Sequence, residues 1–330
     1  FGLPGEPVKD PAGAKCDWCH HECRIPEGER GYCGVRHNVG GRLRGGTPAE
    51  GQVSWYYDPL PTNCVANWIC PLGKGGPEPL PGWEQGAKNR PKNLGVFYEA
   101  CTFDCLFCQN WHFRESVYKT NTYSSSEVAE VVNEDVACVC FFGGDPTPQL
   151  PHAIATGSEI LKNCSRHTVR LCWETNGSMS SALLDRAMDL SLRSGGCMKF
   201  DLKTMDEKLH KALCGVGNTR TLENFARAAD RIPERPDPPP LVASTPMIPG
   251  YVGPEEVKNI AGFVAECSKD IPYSLLGFHP DFLMRDLPCT SRTLAEECKE
   301  AARETGLRRI HVGNRHVLTG EEERAQREKT

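Results

Sequence analysis

Three cysteines follow an apolar run in the stretch Asn93-Leu-Gly-Val-Phe-Tyr-Glu-Ala-Cys-Thr-Phe-Asp-Cys-Leu-Phe-Cys108. Residues 94–98 are apolar enough to predict a strand buried on both faces, and the cysteines lie in the loop that follows this strand in the chain. From Asn93 onward, similar runs alternate with helical windows, which is the order of parallel strands joined by crossover helices. The sequence therefore predicts an α/β fold, either a full or partial barrel or an open doubly wound sheet.

Six segments have the composition of buried strands, and five have the spacing or boundaries of helices. Ser124-Ser-Ser-Glu127 has the spacing of a capping box and predicts a helix start. The expected strands are residues 94–98, 136–142, 168–173, 197–202, 241–247 and 273–278, with a seventh candidate at 309–312. The expected helices are residues 124–132, 183–192, 219–232, 254–267 and 291–305.

Polar or thiol groups follow five of the predicted strands. In either architecture the carboxyl ends of the strands meet at one edge, where ligands bind. We therefore expect these groups to form one site, because packing does not require polar residues at so many strand ends. They are the loop 101–108, Gly143-Gly-Asp-Pro146, Glu174-Thr-Asn-Gly177, Asp201-Leu-Lys203 and His279-Pro280.

Cys101, Cys105 and Cys108 are close enough in the chain to hold one polynuclear metal centre. Thiolates are the usual protein ligands of iron–sulfur clusters, and three ligands for four irons leave one iron open to a substrate or cofactor. Structural zinc needs a closed set of four ligands, the fourth of which His112 could supply. The spacing favours an iron–sulfur cluster over zinc, and inert buried thiols are the least favoured interpretation.

The motif Cys-x3-Cys-x2-Cys, with Phe107 before its third cysteine, resembles the signature of radical S-adenosylmethionine (SAM) enzymes. Gly143-Gly-Asp-Pro146 resembles the turn with which that family binds the methionyl amino group, with Asp in place of Glu. Over about residues 93–314 the chain is most similar to the pyruvate formate-lyase activating enzymes. The resemblance implies a partial (β/α)6 TIM-like barrel, a 4Fe-4S cluster on the three cysteines, and reductive cleavage of SAM to a 5′-deoxyadenosyl radical.

The same resemblance implies roles for individual residues. Ser244 and Glu174 depart from it, since the activating enzymes have Arg and usually Asp at these places. The implied substrate is a protein or peptide, with activation of a glycyl-radical enzyme as the named case, and the implied electron donor is a flavodoxin- or ferredoxin-type protein. The implied cofactor-binding residues are Gly143, Gly144, Asp145, Glu174, Thr175 and Asp201, the last three with a monovalent cation and the Lys199 carbonyl, and the catalytic residues are Lys203 and His279.

Residues 1–92 are predicted to form a cysteine-rich, loop-rich metal-binding module ahead of the barrel at 93–314 and a charged tail at 315–330. The module has many turn formers and no helical period. Four thiolates can organise such a segment by binding metal alone, and zinc and an electron-passing iron–sulfur cluster are supported about equally. The four are Cys16, Cys19, Cys23 and Cys33, whose segment resembles the N-terminal part of the AmmeMemoRadiSam group of radical SAM proteins.

The remaining cysteines have weaker signals. Cys64 and Cys70 are interpreted as buried side chains, with spare metal ligands and an active-site thiol as the alternatives. Cys138, Cys140 and Cys172 lie in predicted strands, where cysteine usually acts as a small apolar core residue, so we expect no role for them.

Composition excludes several classes of protein. The 18 cysteines among 330 residues are too sparse for a disulfide scaffold, and a net charge of −5 without long runs of one sign argues against nucleic acid as a partner. No apolar run reaches the roughly 18 residues of a membrane span, and no secretory signal is evident, so we expect a cytoplasmic protein. Two other functions remain open: a zinc-stabilised structural or interaction protein, and an iron–sulfur electron-transfer protein that does not cleave SAM.

Overall fold

Strands and helices alternate from residue 92 onward in the computed structural model, which describes residues 3–73, 91–118, 121–164 and 168–320. The strands are β1 (Ala14–Lys15), β2 (Arg24–Ile25), β3 (His37–Val39), β4 (Arg42–Arg44), β5 (Gly51–Pro59), β6 (Lys92–Tyr98), β7 (Thr122–Tyr123), β8 (Val136–Gly143), β9 (Arg170–Thr175), β10 (Met198–Asp201), β11 (Leu241–Met247), β12 (Tyr273–Gly277) and β13 (Ile310–Gly313). The helices are α1 (Phe113–Ser116), α2 (Ser125–Glu130), α3 (Leu150–Asn163), α4 (Ser181–Ser194), α5 (Glu207–Cys214), α6 (Thr219–Ala229), α7 (Pro254–Cys267) and α8 (Arg292–Arg303).

One sheet contains nine of these strands, in the order β13-β12-β11-β10-β9-β8-β6-β5-β7. All neighbours from β13 to β6 are parallel, which requires the crossover connections that the helices supply. β5 is antiparallel to β6, and β7 adds a short antiparallel edge to β5. The α/β fold and the partial TIM-like barrel are confirmed, and the seventh strand candidate is β13.

The two faces of the sheet have different surroundings. Trp173 of β9 points towards the helices, where its ring stacks on Phe141 at 4.6 Å between centroids and its Nε1 donates to Ser191 Oγ of α4 at 2.9 Å. The alternate residues of the same strand, Cys172 and Glu174, face the lumen of the barrel. Because both faces are covered, the strands are near-continuous apolar runs, and that pattern made them recognisable in the sequence.

All five predicted helices are present, with ends that differ by a few residues at most. The capping box is formed as predicted: Ser124 Oγ accepts from the Glu127 amide at 3.3 Å, and the Glu127 carboxylate accepts from the Ser124 amide at 2.7 Å. Three helices of the structure, α1, α3 and α5, have no counterpart among the predicted ones. Pro151 and Gly157 disguised α3, yet Gly157 lies where a side chain would crowd Leu171, so the small residue lets the helix approach the sheet.

The segment predicted as a module contributes directly to the barrel. β5 lies within residues 1–92 and pairs along its length with β6, while residues 60–73, here called the lumen segment, cover the inner face of the sheet. Trp68 Nε1 donates to Ser274 Oγ of β12 at 3.0 Å, and the Trp68 ring stacks on His311 of β13 at 5.1 Å. The division at residue 92 remains a prediction.

Some sequence predictions fall at the limits of the described chain. Within the predicted tail, Arg315–Val317 form a short 3-10 turn, and residues 321–330 lie outside the described residues, as do the turn formers between 74 and 90. Among the helices of the described segments, none combines the length and the hydropathy of a membrane span.

Gly196 lies just before β10, where two parallel strands are closely packed. A substitution at this position tests that packing. A Cβ at this position would collide with the carbonyl oxygen of Leu171 on β9, whereas one at Gly262 in α7 meets no atom within 4 Å. We expect Gly196→Ala to lower the unfolding temperature by about 3–8 °C, because overpacking costs about 1–3 kcal/mol. Gly262→Ala is the matched control and should leave the temperature unchanged or raise it. Equal shifts for both variants in anaerobic thermal unfolding would contradict this packing.

Candidate active site

The cysteine loop after β6 is fixed from two sides. The Asp104 amide donates to the carbonyl of Cys214 at the end of α5 at 2.9 Å. The Asp104 carboxylate accepts from Arg114 Nε at 2.8 Å, and Arg114 is 3% exposed. Arg114 is buried and Asp104 is half-buried, so this charge-assisted hydrogen bond ties the loop to α1.

The Gly143-Gly144 turn lies against the beginning of that loop. The Gly144 amide donates to the Tyr98 carbonyl at 3.0 Å, and the Asp145 amide donates to the Ala100 carbonyl at 2.6 Å. Gly143 has a φ of +127°, and a Cβ on Gly144 would collide with the Ala100 carbonyl oxygen. Both glycines are therefore required by the close approach of two backbones.

Asp145 joins the ends of β8 and β9. Its carboxyl group accepts from the Thr147 amide at 2.7 Å, from the Asn176 amide at 2.6 Å and from Thr175 Oγ1 at 3.1 Å. Burial raises the pKa of Asp145 to about 6, because removal from water outweighs the donors that favour the carboxylate. The Asp145 side chain thus links Thr147, Thr175 and Asn176. It also borders the cavity described below.

A pair of opposite charges, Asp201 and Lys203, lies at the end of β10. Lys203 Nζ lies 3.0 Å from Asp201 Oδ2, and Ser244 Oγ of β11 donates to Asp201 Oδ1 at 2.7 Å. Burial alone would lower the pKa of Lys203, but the Asp201 carboxylate and the Cys105 thiol outweigh it and raise the pKa. Lys203 is therefore a fixed positive charge, and Ser244, at the place of the expected Arg, orients its partner.

These strand ends meet around one cavity of about 210 Å³ at the carboxyl edge of the sheet. The cavity brings together eight of the residues that the sequence analysis selected. They are Cys101, Cys105, Cys108, Gly143, Gly144, Asp145, Asp201 and Lys203.

Three selected residues lie elsewhere. Glu174 faces the lumen, where its Oε1 lies 2.8 Å from Lys199 Nζ, and Thr175 contacts Asp145 instead of Asp201. His279 is exposed and is not among the residues that line the cavity. Glu174 and Asp201 therefore bind different lysines, and the structure does not gather the set that the resemblance implied for a monovalent cation.

The cavity also contains residues to which the sequence analysis gave no role. Asn176 Nδ2 donates to Thr102 Oγ1 at 2.8 Å and lies 3.7 Å from Cys101 Sγ, and Asn110 Nδ2 donates to the Gly143 carbonyl at 3.0 Å. Asn176 belongs to the quoted motif Glu174–Gly177, and Asn110 is two residues after Cys108, so the signal was their position beside stronger candidates. Apolar walls come from Phe103, Phe107, Pro246, Leu276 and Phe278.

The three thiols differ in their surroundings. A hydrogen bond with the Cys214 thiol, assisted by Lys203, lowers the pKa of Cys105 in spite of burial, whereas burial raises the pKa values of Cys101 and Cys108. The last two therefore become thiolates when a metal replaces the proton.

The three cysteines of the cavity fit a metal centre of several ions better than a single metal ion. The cavity lining supplies three cysteines, and neither a fourth cysteine nor His112 is among the described residues that line it. No three His, Cys, Asp or Glu side chains in the described segments are grouped around a single ion position. Three spread thiolates with an open side suit a four-iron cluster better than closed tetrahedral zinc.

The N-terminal segment packs on this site. His21 Nε2 donates to the carbonyl of Thr102, next to Cys101, at 2.8 Å, and burial lowers the pKa of His21 to about 4, which keeps the ring neutral. The His20 amide donates to the Ser178 carbonyl at 2.9 Å. The loop that carries Cys19 is therefore in direct contact with the loop that carries Cys101.

The four module cysteines are brought together by the pairing of β1 with β2 and by the turn that follows. Burial raises the pKa of Cys19, and the neighbouring thiols of Cys33, Cys16 and Cys23 raise it further. Arg36 is 6% exposed, and its guanidinium carbon lies 3.8 Å from the centre of the Trp18 ring. This buried cation lies beside the thiols of Cys16 and Cys33, where it offsets the charge that they acquire as thiolates.

Comparison with known proteins places residues 96–264, half of the chain, in the family described as the radical SAM superfamily. The isethionate sulfite-lyase activating enzyme of Oleidesulfovibrio alaskensis is 28% identical over 194 residues, 54% of this chain and 58% of that protein. The pyruvate formate-lyase 1-activating enzyme of Escherichia coli is 28% identical over 138 residues, 40% of this chain and 53% of that protein. The chain thus spans little more than half the length of these curated relatives.

Two further similarities cover more of the chain. Uncharacterized protein MJ0808 of Methanocaldococcus jannaschii is 24% identical over 306 residues, 91% of this chain and 81% of that protein. The crystal structure of a radical SAM methyltransferase from Sphaerobacter thermophilus matches with a TM-score of 0.50 at 13% identity, over 67% of this chain and 66% of that one. At that identity the likeness concerns the fold alone.

Asp145 gives the site a measurable pH dependence. Its pKa of about 6 in the folded chain exceeds the ordinary value of 3.8, so the neutral acid stabilises the fold below about pH 4 and this contribution is lost as the pH rises through 6. Relative to Asp145→Asn, which does not titrate, we expect the wild-type free energy of unfolding to fall by about 1 kcal/mol between pH 5 and pH 7. Thermal unfolding of both proteins across this range measures the difference. A constant difference would show that Asp145 does not titrate there.

Proposed function

The chain belongs to the radical SAM superfamily, and on that basis we propose that it cleaves SAM reductively at a three-cysteine 4Fe-4S cluster and directs the resulting 5′-deoxyadenosyl radical at a hydrogen atom of a protein or peptide. The observation that carries the proposal is the single cavity shared by the three cysteines, the Gly143–Asp145 turn and the Asp201–Lys203 pair. Groups from three separate strand ends converge there, and the cavity has thiol, charged and apolar walls.

Each group has a separate task in this proposal. When bound, a cluster on these cysteines would supply the electron for reductive cleavage of SAM, so the cofactor would carry the bond-breaking chemistry. Cys101, Cys105 and Cys108 hold the cluster, and the bare backbone of the Gly143-Gly144 turn lets the methionyl end of SAM approach closely. The phenylalanines in the wall exclude water, which protects a reactive carbon radical from side reactions.

Lys203 supplies the positive charge beside Asp201. The resemblance assigned that charge to a monovalent cation shared with Glu174, but Glu174 is paired with Lys199 in the lumen. The Asp201–Lys203 pair, with its 3.0 Å contact, provides both a negative and a positive group at the cavity wall. In this chain we propose that Lys203 faces the carboxylate of SAM, while Asp201 orients the lysine.

The substrate class follows from the relatives. Isethionate sulfite-lyase activating enzyme and pyruvate formate-lyase 1-activating enzyme are named for action on another enzyme. We propose the same class here, with a glycyl-radical enzyme as the named case, and a flavodoxin- or ferredoxin-type protein as electron donor. The exposed His279, next to the cavity-lining Phe278, then lies on the side from which a polypeptide enters.

A second metal centre is proposed at Cys16, Cys19, Cys23 and Cys33. The four thiols are electrostatic neighbours, and a buried arginine stands beside them. Zinc would require them to draw closer around one ion, whereas a four-iron cluster spans a wider set. The contact between His21 and Thr102 would make an iron–sulfur cluster there an entry point for electrons.

Formation of 5′-deoxyadenosine tests the reaction directly. The anaerobically reconstituted and reduced protein should release it from SAM, and Cys105→Ala should reduce the yield to that of a blank without enzyme, because two thiolates no longer retain the cluster. Cys267→Ala, at the end of α7 and away from the cavity, is the matched control and should keep wild-type yield. Iron retention without any 5′-deoxyadenosine from the wild-type protein would favour electron transfer instead.

Metal analysis tests the second centre. Cys23→Ser should lose either one zinc or one cluster's iron and sulfide per chain relative to the wild type, while the cluster of the three-cysteine loop remains. Cys267→Ser provides the comparison for loss of an uninvolved thiol. Full wild-type metal content in Cys23→Ser would contradict a centre at these four cysteines, and the element lost from a depleted variant distinguishes zinc from iron–sulfur.

A further inference from the structure

The lumen contains a second cavity, of about 90 Å³, that the proposed function does not use. It lies on the inner face of β8, β9 and β10, and residues of the lumen segment also line it. Six cysteines line this cavity, here called the thiol chamber: Cys64, Cys70, Cys138, Cys140, Cys172 and Cys197. Residues expected to be unrelated core or spare thiols are therefore gathered in one place.

Lys199 organises part of the thiol chamber. This lysine is 2% exposed, and its Nζ lies 3.2 Å from the Sγ atoms of both Cys64 and Cys140 and 2.8 Å from Glu174 Oε1. Burial alone would lower the pKa of Lys199, but the Cys140 and Cys64 sulfur atoms and the Glu174 carboxylate raise it, so the group stays an ammonium. A metal cation in the chamber would lie against this charge, which argues for thiol chemistry without a metal.

Two of the six thiols are already a pair. β9 and β10 are parallel with Trp173 opposite Met198, so Cys172 and Cys197 are direct neighbours across the strands. Cys197 Sγ donates to Cys172 Sγ at 4.0 Å. Adjacent strands are about 4.8 Å apart, within the 4.4–6.8 Å range of Cα separations found in disulfides, so the strand spacing permits a disulfide between the two.

The pKa values of the two thiols are shifted in opposite directions. The hydrogen bond from Cys197, together with the charge of Lys199, lowers the pKa of Cys172 in spite of burial, and the same bond raises the pKa of Cys197. A thiolate is the nucleophile in thiol oxidation, and the neighbouring thiol is the group that resolves the product. Cys172 and Cys197 have these two complementary properties.

The volume of the chamber limits the oxidant. The cavity has a volume of about 90 Å³, which is enough for a molecule of a few non-hydrogen atoms. Hydrogen peroxide fits such a space, whereas a peptide disulfide such as oxidised glutathione is many times larger. The co-reactant class is therefore a small peroxide.

We propose that the thiol chamber is a peroxide-reactive site in which Cys172 attacks and Cys197 resolves. The Cys172 thiolate attacks one peroxide oxygen, the O–O bond breaks, and a sulfenic acid and hydroxide form. The Cys197 sulfur then attacks the sulfenic sulfur, and its proton leaves with the departing oxygen as water. The hydroxide takes up the proton that Cys172 lost, so in total two thiols are oxidised to one disulfide and one peroxide is reduced to two waters.

The sequence makes this disulfide unambiguous to detect. Trypsin releases residues 171–186 with Cys172 as their one cysteine and residues 194–199 with Cys197 as theirs. We expect the anaerobically prepared holoprotein, treated with a few equivalents of hydrogen peroxide and then alkylated, to yield these two peptides linked with loss of two hydrogens. The linked peptide should form before other disulfides. If it is absent while the chamber thiols remain reduced, or if other cysteines are oxidised first, the proposal is overturned.

Three variants complete the experiment. Cys197→Ser should give no linked peptide and should instead leave a sulfenic acid on residues 171–186 that dimedone traps; failure to trap it would exclude Cys172 as the attacking thiol. Cys164→Ser, at the end of α3, should behave as wild type. Cys105→Ala, which lacks the SAM cluster, should form the linked peptide to the wild-type extent. A failure of the radical chemistry is thereby distinguished from a failure of this site.

Discussion

The close approach of the ends of β6, β8 and β9 determines the arrangement of the site at the carboxyl edge of this barrel. β6 and β8 come within hydrogen-bonding distance beyond their last paired residues because Gly143 and Gly144 have no side chains to separate them. The buried carboxyl of Asp145 then accepts from the end of β9. The cysteine loop, the glycine turn and the end of β9 are consequently one rigid unit, and the cavity is the space that this unit leaves open towards Asp201 and Lys203.

Much of the fold could be predicted because parallel strands covered on both faces have an unmistakable composition. The same burial explains why the strand ends, where polar residues begin, identified most of the site. β5 was not predicted although Val53 and Trp55 alternate with the polar Gln52 and Ser54, since the turn-rich composition around it dominated the interpretation. Its pairing partner, β6, lies more than thirty residues away in the chain, beyond the range of any local pattern.

Side-chain direction was the less predictable part of the site. Glu174 and Thr175 are adjacent in one motif, but alternation along β9 directs them to opposite faces, so one meets Lys199 in the lumen and the other meets Asp145. The thiol chamber could not be predicted from the sequence for a related reason. Each of its cysteines has the local signature of a core residue, and only the assembled register of β8, β9, β10 and the lumen segment brings the sulfur atoms together.

The lumen segment also has a consequence for how the molecule is made. Trp68 and Ser274 are bonded across 206 positions of sequence, and Val65 accepts from the same serine. Contacts of such separation form late and slow folding, because the intervening chain must first be ordered. During synthesis from the amino terminus, the segment has emerged long before β12 exists. Until most of the chain has left the ribosome, its cysteines have no lumen to enter, so the interval before barrel closure is when these thiols are most exposed to oxidants and stray metals.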